Sequence, residues 1–353
     1  MRLRNQRLAG DKFGSAEDVV GWLGAVQSQE YPLARWSVGM RTGGLKERHV
    51  ETAVAEGRIL RTHVLRPTWH FILPRDIRWV MRLTAPRIVA VARRQVQLGL
   101  EAQQMARSFD LITDALAGGE HLTRRELGAA IARGGISIDG QRLAFIVMGA
   151  ENELLVASGK PKGASQTYAL LDKIAPERRT AAPFDREQAA ADLAKRYFTG
   201  HGPATVGDFT WWSSLTVGDA RRGIAANGST LKKMTVEGTD FWWAGDTADG
   251  PDDRSPTIHL LQGYDEYIVA HRAPRDPINV ERLATHAAMS RPPFLHATVL
   301  DGQALGFWRR VPDGDRYKVE TKLLREIGTR EKSALEAAVE RYSAFVERPV
   351  RLA

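Results

Sequence analysis

The sequence predicts an α+β fold: one unit of three helices and two strands, repeated three times, then a C-terminal β-rich, barrel-like domain. Three observations predict it. Helical apolar spacing gives way to strand-like alternation three times along the chain, with capping residues and glycines as punctuation. From about Ser255 the texture changes to short alternating runs around turns. Hydrophobic residues are 43% of the 353, enough for several small cores.

In the first copy "SAEDVVGWLGAV", "PLARWSVGMR" and "ERHVETAVAEG" read as helices, and "RILRTHVL" and "TWHFIL" as strands. "RDIRWVMRLTAPRIVAVARRQVQLGLEAQQMARS" follows as a long linking helix, or a pair broken before Pro86, and closes the first unit at residue 105. Arg75, Arg78, Arg82, Arg87, Arg93 and Arg94 crowd this link, and a solvated face or a row of phosphate contacts explains them equally well. The second copy, residues 106–180, has helices at "FDLITDALAGG", "TRRELGAAIARGG" and "DGQRLAFIVMGAEN", with "ELLVASG" and "SQTYALL" as its hairpin. The third, residues 181–254, begins with "REQAAADLAKRYF", which stops at "TGHGP". Thr205, with Asp208 three residues on, caps its second helix; Thr216 caps the third and Gly228 closes it. "LKKMTVEG" and "TDFWWAG" turn at Gly238. Residues 255–353 hold strands at "TIHLLQGYDEYIVAHR", "FLHATVLDG", "QALGFWRR" and "DRYKVETKLL", and a last amphipathic helix at "EKSALEAAVERYSAFV". Three helices closed by a β-ribbon are the winged-helix form of the helix-turn-helix, whose recognition helix and wing approach nucleic acid.

Charge agrees with that. Fifty Lys and Arg face 42 Asp and Glu, a net charge of +8, which suits a polyanion, nucleic acid before membrane. The absence of cysteine excludes disulfides, zinc–thiolate sites and iron–sulfur clusters. "MRLRNQRLAGDKFGS" has no apolar core of a signal peptide, and no run of about 18 apolar residues suggests a membrane span. The expectation is a monomeric cytoplasmic protein associated with the nucleoid, without membrane contact.

The segment "AVQSQEYP" carries Gln27 and Gln29 between the first two helices. In an α-helix the two side chains would diverge by about 200°. In an extended segment they point the same way, and Pro32 favours an end to the first helix near Val26. A glutamine cannot donate or take a proton as acid or base. Two of them can hold a water and aim carbonyl dipoles at developing positive charge. That suits a leaving group needing no protonation. A purine alkylated at N7 carries a positive charge and leaves neutral as the sugar becomes oxocarbenium-like, as in glycoside hydrolysis. The spacing alone favours the ordinary reading, a pair of amides bonding loose backbone at a helix end.

"VVGWLGAVQSQEYPLARWSVGMR", "GRILRTHVLRPTWHFILPRD", "GPATVGDFTWWSSLTVGDAR" and "LLQGYDEYIVAHR" resemble, in order, blocks of the AlkZ-like winged-helix DNA glycosylases, from near Arg4 to past Trp308. The resemblance implies three tandem winged helices and a β domain around a basic concave surface. It implies hydrolysis of N-glycosidic bonds of alkylated purines and, in some members, unhooking of interstrand crosslinks. The family signature is Gln-x-Gln in one subgroup and Gln-x-Asp in another; Gln27 and Gln29 match the first and become the candidate catalytic residues. The chain departs at Ser28, where an apolar residue is usual, and at "RPTWH" in place of "RGTLH", where Pro67 stiffens the wing and Trp69 enlarges it.

The expected activity is that of a monofunctional glycosylase acting on cationic N7-alkylpurines in duplex DNA, including crosslinked ones. No lysine accompanies the glutamines, so no Schiff base is expected. Candidate DNA contacts are Arg35, Arg58, Arg61, Arg66, Trp69 and His70, with Arg58, Arg61 and Arg66 on a wing strand that has one wet face. Trp211, Trp212, Trp242 and Trp243 are expected in the core. Asp265 in "GYDEY" reads as a turn or a salt bridge. His63 and His70 have no third ligand beside them, so no metal and no cofactor is expected. The alternative function is a winged-helix transcription factor or architectural DNA binder without catalysis.

Overall fold

The computed structural model describes residues 1–66, 68–84, 89–163, 165–177, 183–245, 255–272 and 296–353. Pro67, Pro86 and Arg87, on which parts of the sequence reading rest, lie outside the described residues. In chain order the elements are α1 (Arg2–Asn5), α2 (Ala16–Leu23), β1 (Val26–Gln27), α3 (Tyr31–Gly39), α4 (Glu47–Ala55), β2 (Leu60–Val64) and β3 (Thr68–Ile72). The link is α5 (Pro74–Thr84) and α6 (Val89–Gln97). Next come α7 (Ala102–Leu116), β4 (Leu122–Thr123), α8 (Arg124–Arg133), α9 (Arg142–Asn152), β5 (Val156–Lys162), β6 (Ser165–Leu170) and α10 (Leu171–Ile174). The third set is α11 (Arg186–Gly200), α12 (Val206–Ser213), α13 (Val217–Ala226), β7 (Leu231–Val236) and β8 (Thr239–Ala244). The chain finishes with β9 (Ile258–Leu261), α14 (Glu266–Val269), β10 (His296–Leu300), β11 (Gln303–Asp313), β12 (Arg316–Leu323), α15 (Thr329–Val346) and β13 (Val350–Leu352).

The three-helix-plus-hairpin order therefore recurs three times. It recurs in a detail the sequence pattern did not contain. A short extended piece lies between the first and second helices of each set and pairs with the hairpin's second strand: β1 on β3, β4 on β6, and the Ala204–Trp242 bridge. The caps explain where helices start. Ser15 accepts from the Asp18 N–H, Thr205 from Asp208 and Thr216 from Asp219. Helix α2 ends at Leu23, three residues before the expected Val26, because Gly24 takes φ +80°. Only glycine adopts that conformation without strain. It turns the chain out of the helix and into β1, which carries Gln27.

The first core gathers Val20, Leu33, Trp36 and Phe71 with Leu260 of β9 and Leu335, Tyr342 and Phe345 of α15. The third set's core, Leu193, Phe209 and Trp212, continues into Leu60, Val64 and Ile72. The first hairpin is thus sandwiched: Val26 and Phe71 face one core, Leu60 and Ile72 the other, as strand alternation requires. β2 is buried at every residue, so the wet face expected of this strand is absent. The second set has its own core around Ile112, Leu127, Ile146 and Tyr168.

The C-terminal sheet runs β13-β12-β11-β10-β9, antiparallel except for β12 with β13. Among the described residues it is open, with edges at β9 and β13. "GYDEYIV" is a turn and the short helix α14 rather than strand, since the Asp265 side chain accepts from the Tyr267 N–H. Among the described residues no helix is long and apolar enough to cross a membrane.

Candidate active site

Val26 and Gln27 form the short strand β1 and Gln29 opens a bend before α3, so "VQSQ" is extended and then irregular rather than helical, as a shared site for the two amides requires. Gln27 stands opposite His70 in the β1–β3 register, and the Ser28 N–H continues the ladder to the Trp69 carbonyl at 2.7 Å. The ladder stops there because the Arg61 guanidinium takes the Ser28 carbonyl at 3.0 Å. The Trp69 N–H is met by the Gln29 side-chain oxygen at 3.3 Å. The Gln27 side-chain oxygen accepts from Arg66 at 3.0 Å. Both amides are therefore held by the hairpin of β2 and β3, Gln27 at Arg66 and Gln29 at Trp69. Gln27 is 4% exposed, whereas Gln29 is exposed to solvent.

The other edge of β1 would be unpaired, and two side chains from beyond β9 close it. The Gln27 N–H donates to Glu266 Oε1 at 2.8 Å, and Gln262 Nε2 donates to the Gln27 carbonyl at 3.2 Å. Glu266 is fully buried. Its Oε2 accepts from the Trp212 indole at 2.9 Å and lies 3.4 Å from His201 Nε2. Burial pushes this carboxyl up, but His201, Arg66 and His70 outweigh burial and hold it at about 2. The carboxylate is thus ionised at neutral pH. His70 is buried completely, and burial, reinforced by Arg66, lowers its pKa to about 4. Its Nδ1 lies 2.8 Å from the Thr68 carbonyl, which can only accept, so Nδ1 carries the proton of the neutral ring.

The proposed DNA contacts divide. Arg66 is partly exposed and lies beside Gln27, with its guanidinium 5.9 Å from the Trp211 ring. Trp69 is half-buried against His63 and Arg61, with ring distances of 4.1 Å to each. Arg58 is exposed and pairs with Glu17 and with Glu56. Three others point inward. Arg61, 7% exposed, buttresses Ser28 from behind. Arg35, 9% exposed, is paired with Glu47 at 3.0 Å and with Glu51, so a phosphate would have to displace carboxylates to reach it. His70 has no surface for DNA to touch.

Asp265 forms a fully buried two-pronged pair with Arg41, at 2.8 and 2.9 Å. That is the salt bridge which its turn context suggested. Its neighbour Glu266 is the residue that sequence reasoning missed. Asp265 is the extended N-cap and Glu266 the first residue of α14, so the two side chains leave in different directions, one carboxylate to Arg41 and the other to Gln27. Trp212 is core as expected, but Trp211 is 45% exposed beside Arg66. In the link, Arg78 meets Asp172 and the Ala175 carbonyl, and Arg82 meets Glu177, which ties α5 to the segment after α10.

Comparison with known proteins settles the family. The family model described as DNA glycosylase AlkZ-like matches residues 20–345. The chain belongs to the AlkZ-like DNA glycosylase family. Its class of chemistry is accordingly that of a DNA glycosylase. A protein of Streptomyces sahachiroi named as an interstrand DNA cross-link repair glycosylase is 24% identical, over 99% of this chain and 97% of its own. The solved structure of Streptomyces sahachiroi DNA glycosylase AlkZ superposes with a TM-score of 0.80 at 23% identity, covering 100% of this chain and 97% of that one. The likeness shows that the whole architecture is shared, from the repeated units through the C-terminal sheet.

Proposed function

We propose that the protein hydrolyses the N-glycosidic bond of cationic N7-alkylated purines in duplex DNA, including purines joined across the strands, with Gln27 and Gln29 holding the attacking water. The observation that carries this reading is the seating of both amides on one hairpin. Each side-chain oxygen already accepts one hydrogen bond there, from Arg66 or from the Trp69 N–H. A carbonyl oxygen has two lone pairs, so each keeps one for a water. A water donating to both would turn its own lone pair toward C1′ of the sugar. The carbonyl dipoles would present their negative ends to the oxocarbenium character that develops there.

The chemistry sets the substrate. A base alkylated at N7 departs neutral and needs no general acid, and neither glutamine can act as one. An unmodified base would depart as an anion and react poorly. The groups bonded to the two amides are an arginine and a backbone N–H, neither of which forms a Schiff base, so the expected product is an intact abasic strand. The name of the Streptomyces relative supports extending the reading to crosslinks. A crosslinked nucleotide resists full extrusion from the helix, and a site on a wing edge with Gln29 at the surface suits a base that stays near the duplex.

The test is incubation with duplexes carrying 7-methylguanine or an N7-linked crosslink, scoring released base and abasic sites. Wild-type protein should release both. The Gln27→Ala, Gln29→Ala protein should release neither and bind duplex as before. A sequence-specific footprint on operator-like DNA, with no base released from alkylated duplex, would favour a transcription factor instead.

A further inference from the structure

We propose that Glu266 is a positioning residue for this reaction: a buried anion that fixes the Gln27 backbone and offsets the positive charge that Arg66 brings to the site. The proposal rests on the reading of Gln27 and Gln29 given above. Glu266 touches no substrate; it acts through the segment that carries the amide.

The other buried carboxylate of this turn, Asp265, has a guanidinium of its own in Arg41. Glu266 is equally inaccessible, yet it has no guanidinium or ammonium of its own: the Gln27 N–H and the Trp212 indole donate to it, and His201 Nε2, at 3.4 Å, is a cation only when protonated. An ionised carboxylate without a permanently charged direct partner is costly to bury. Closing the edge of β1 requires only an acceptor, which a neutral glutamine would supply. The charge therefore asks for a reason beyond the cap.

Arg66 gives one. Its guanidinium donates to Gln27 Oε1 and so orients the amide, but it also sets a full positive charge beside the place where an oxocarbenium ion would form. Alone, that charge opposes both the cationic lesion and the transition state. Arg66 and Glu266 grip the same residue, one at the Gln27 side-chain oxygen and the other at its backbone N–H, and after His201 this arginine helps to keep the carboxylate ionised. With Glu266 present, the site keeps the orienting hydrogen bonds of Arg66 while its local charge is cancelled. The low dielectric of a fully buried position makes the cancellation effective.

Single-turnover release of 7-methylguanine, with duplex affinity measured alongside, tests this in Glu266→Gln, Glu266→Asp, Arg66→Met and the Glu266→Gln, Arg66→Met double variant. Glu266→Gln keeps the shape and loses the charge. It should slow release by about 100-fold, with affinity for undamaged duplex unchanged or tighter because the site becomes more positive. Glu266→Asp keeps the charge and should stay within about 10-fold of wild type. Glu266→Gln should cost about 10-fold or less in the Arg66→Met background, since the charge to be offset is gone. The proposal is overturned if Glu266→Gln stays within about 3-fold of wild type, if the aspartate falls below the glutamine, or if the cost is the same in both backgrounds. If Glu266→Gln does not fold, the double variant against Arg66→Met carries the test, because no lone buried charge remains in it. There a cost of about 10-fold or less supports the proposal and about 100-fold overturns it. The Gln27→Ala, Gln29→Ala protein runs in the same assay. If it excises at the wild-type rate, the glutamine reading fails; if it is inactive while Glu266→Gln is unimpaired, only the role of Glu266 fails.

Discussion

The first and third wings are the same hairpin in opposite surroundings. Both join two antiparallel strands after three helices, and both carry basic residues. The first is buried on both faces, between the core shared with α15 and the core of the third set. Its Arg61 and Arg66 are bonded to Ser28, Gln27 and Trp212. In the third, β7 is exposed at every residue after Leu231, and Lys233 pairs with Asp240 at 3.0 Å and lies 5.6 Å from the Trp242 ring. The hairpin itself does not decide which role it plays; the neighbours do. Where a second core covers the ribbon, its basic residues become fixtures of a candidate active site. Where only the second strand packs on a core and the first faces outward, they remain a charged surface of the kind that meets a phosphate backbone.

This contrast is broken most directly at the glutamines. Gln27→Ala with Gln29→Ala should lower single-turnover excision by about 1,000-fold or more while duplex affinity stays put. Equal losses in rate and affinity would make the first hairpin a binding surface, the part expected here of the third. Arg66→Met should slow excision by about 10- to 100-fold, since it removes the donor that orients Gln27, and should weaken binding little. A variant that lost affinity first and rate second would contradict the division. Lys232→Gln with Lys233→Gln should do the reverse. Affinity should fall several-fold, and the slope of log affinity against log salt should decrease by about 1 to 2, with the rate on bound substrate unchanged.

The last prediction concerns stability. His70 is lowered to about 4 and His259 to about 3, in each case chiefly by burial, and both stand at 6.5 in an unfolded chain. Between those values the unfolded state binds more protons, so stability present above pH 6.5 is lost as pH falls toward 4. Glu266, lowered from 4.5 to about 2, adds a further loss as pH falls below about 4.5. Melting temperature should therefore decline below pH 6.5. His70→Gln should flatten that decline, whereas a change confined to the third wing should leave it alone.

What was legible in the sequence was local. Capping threonines at 205 and 216, the glycines that end elements, and alternating apolar residues placed the helices and hairpins to within a few residues. That "QSQ" lies outside a helix followed from what lies on either side of it: Gln27 is in a strand and Gln29 in a bend. Long-range partners were not legible. Arg35 and Arg61 look like phosphate ligands in one dimension; only folding brings Glu47 and Glu51 to the first and the Ser28 carbonyl to the second. Glu266 is 239 residues from Gln27, and nothing in the spacing of "GYDEY" says which of its carboxylates turns toward the glutamine. Trp211 and Trp212 are neighbours in sequence, yet helix α12 puts one into the core and the other at the surface. Residues next to each other on a helix share a composition signal but not a direction.

The central claim is that two neutral amides hold one water at the sugar. A crystal structure of the protein with duplex DNA carrying a cationic pyrrolidine in place of the damaged nucleotide's sugar tests it most directly. The account predicts a water hydrogen-bonded to both Gln27 Oε1 and Gln29 Oε1 and lying about 3 to 3.5 Å from the ring atom that stands for C1′. A pyrrolidine bound elsewhere, or two amide oxygens that bond only to protein while the sugar mimic sits against other side chains, would contradict it.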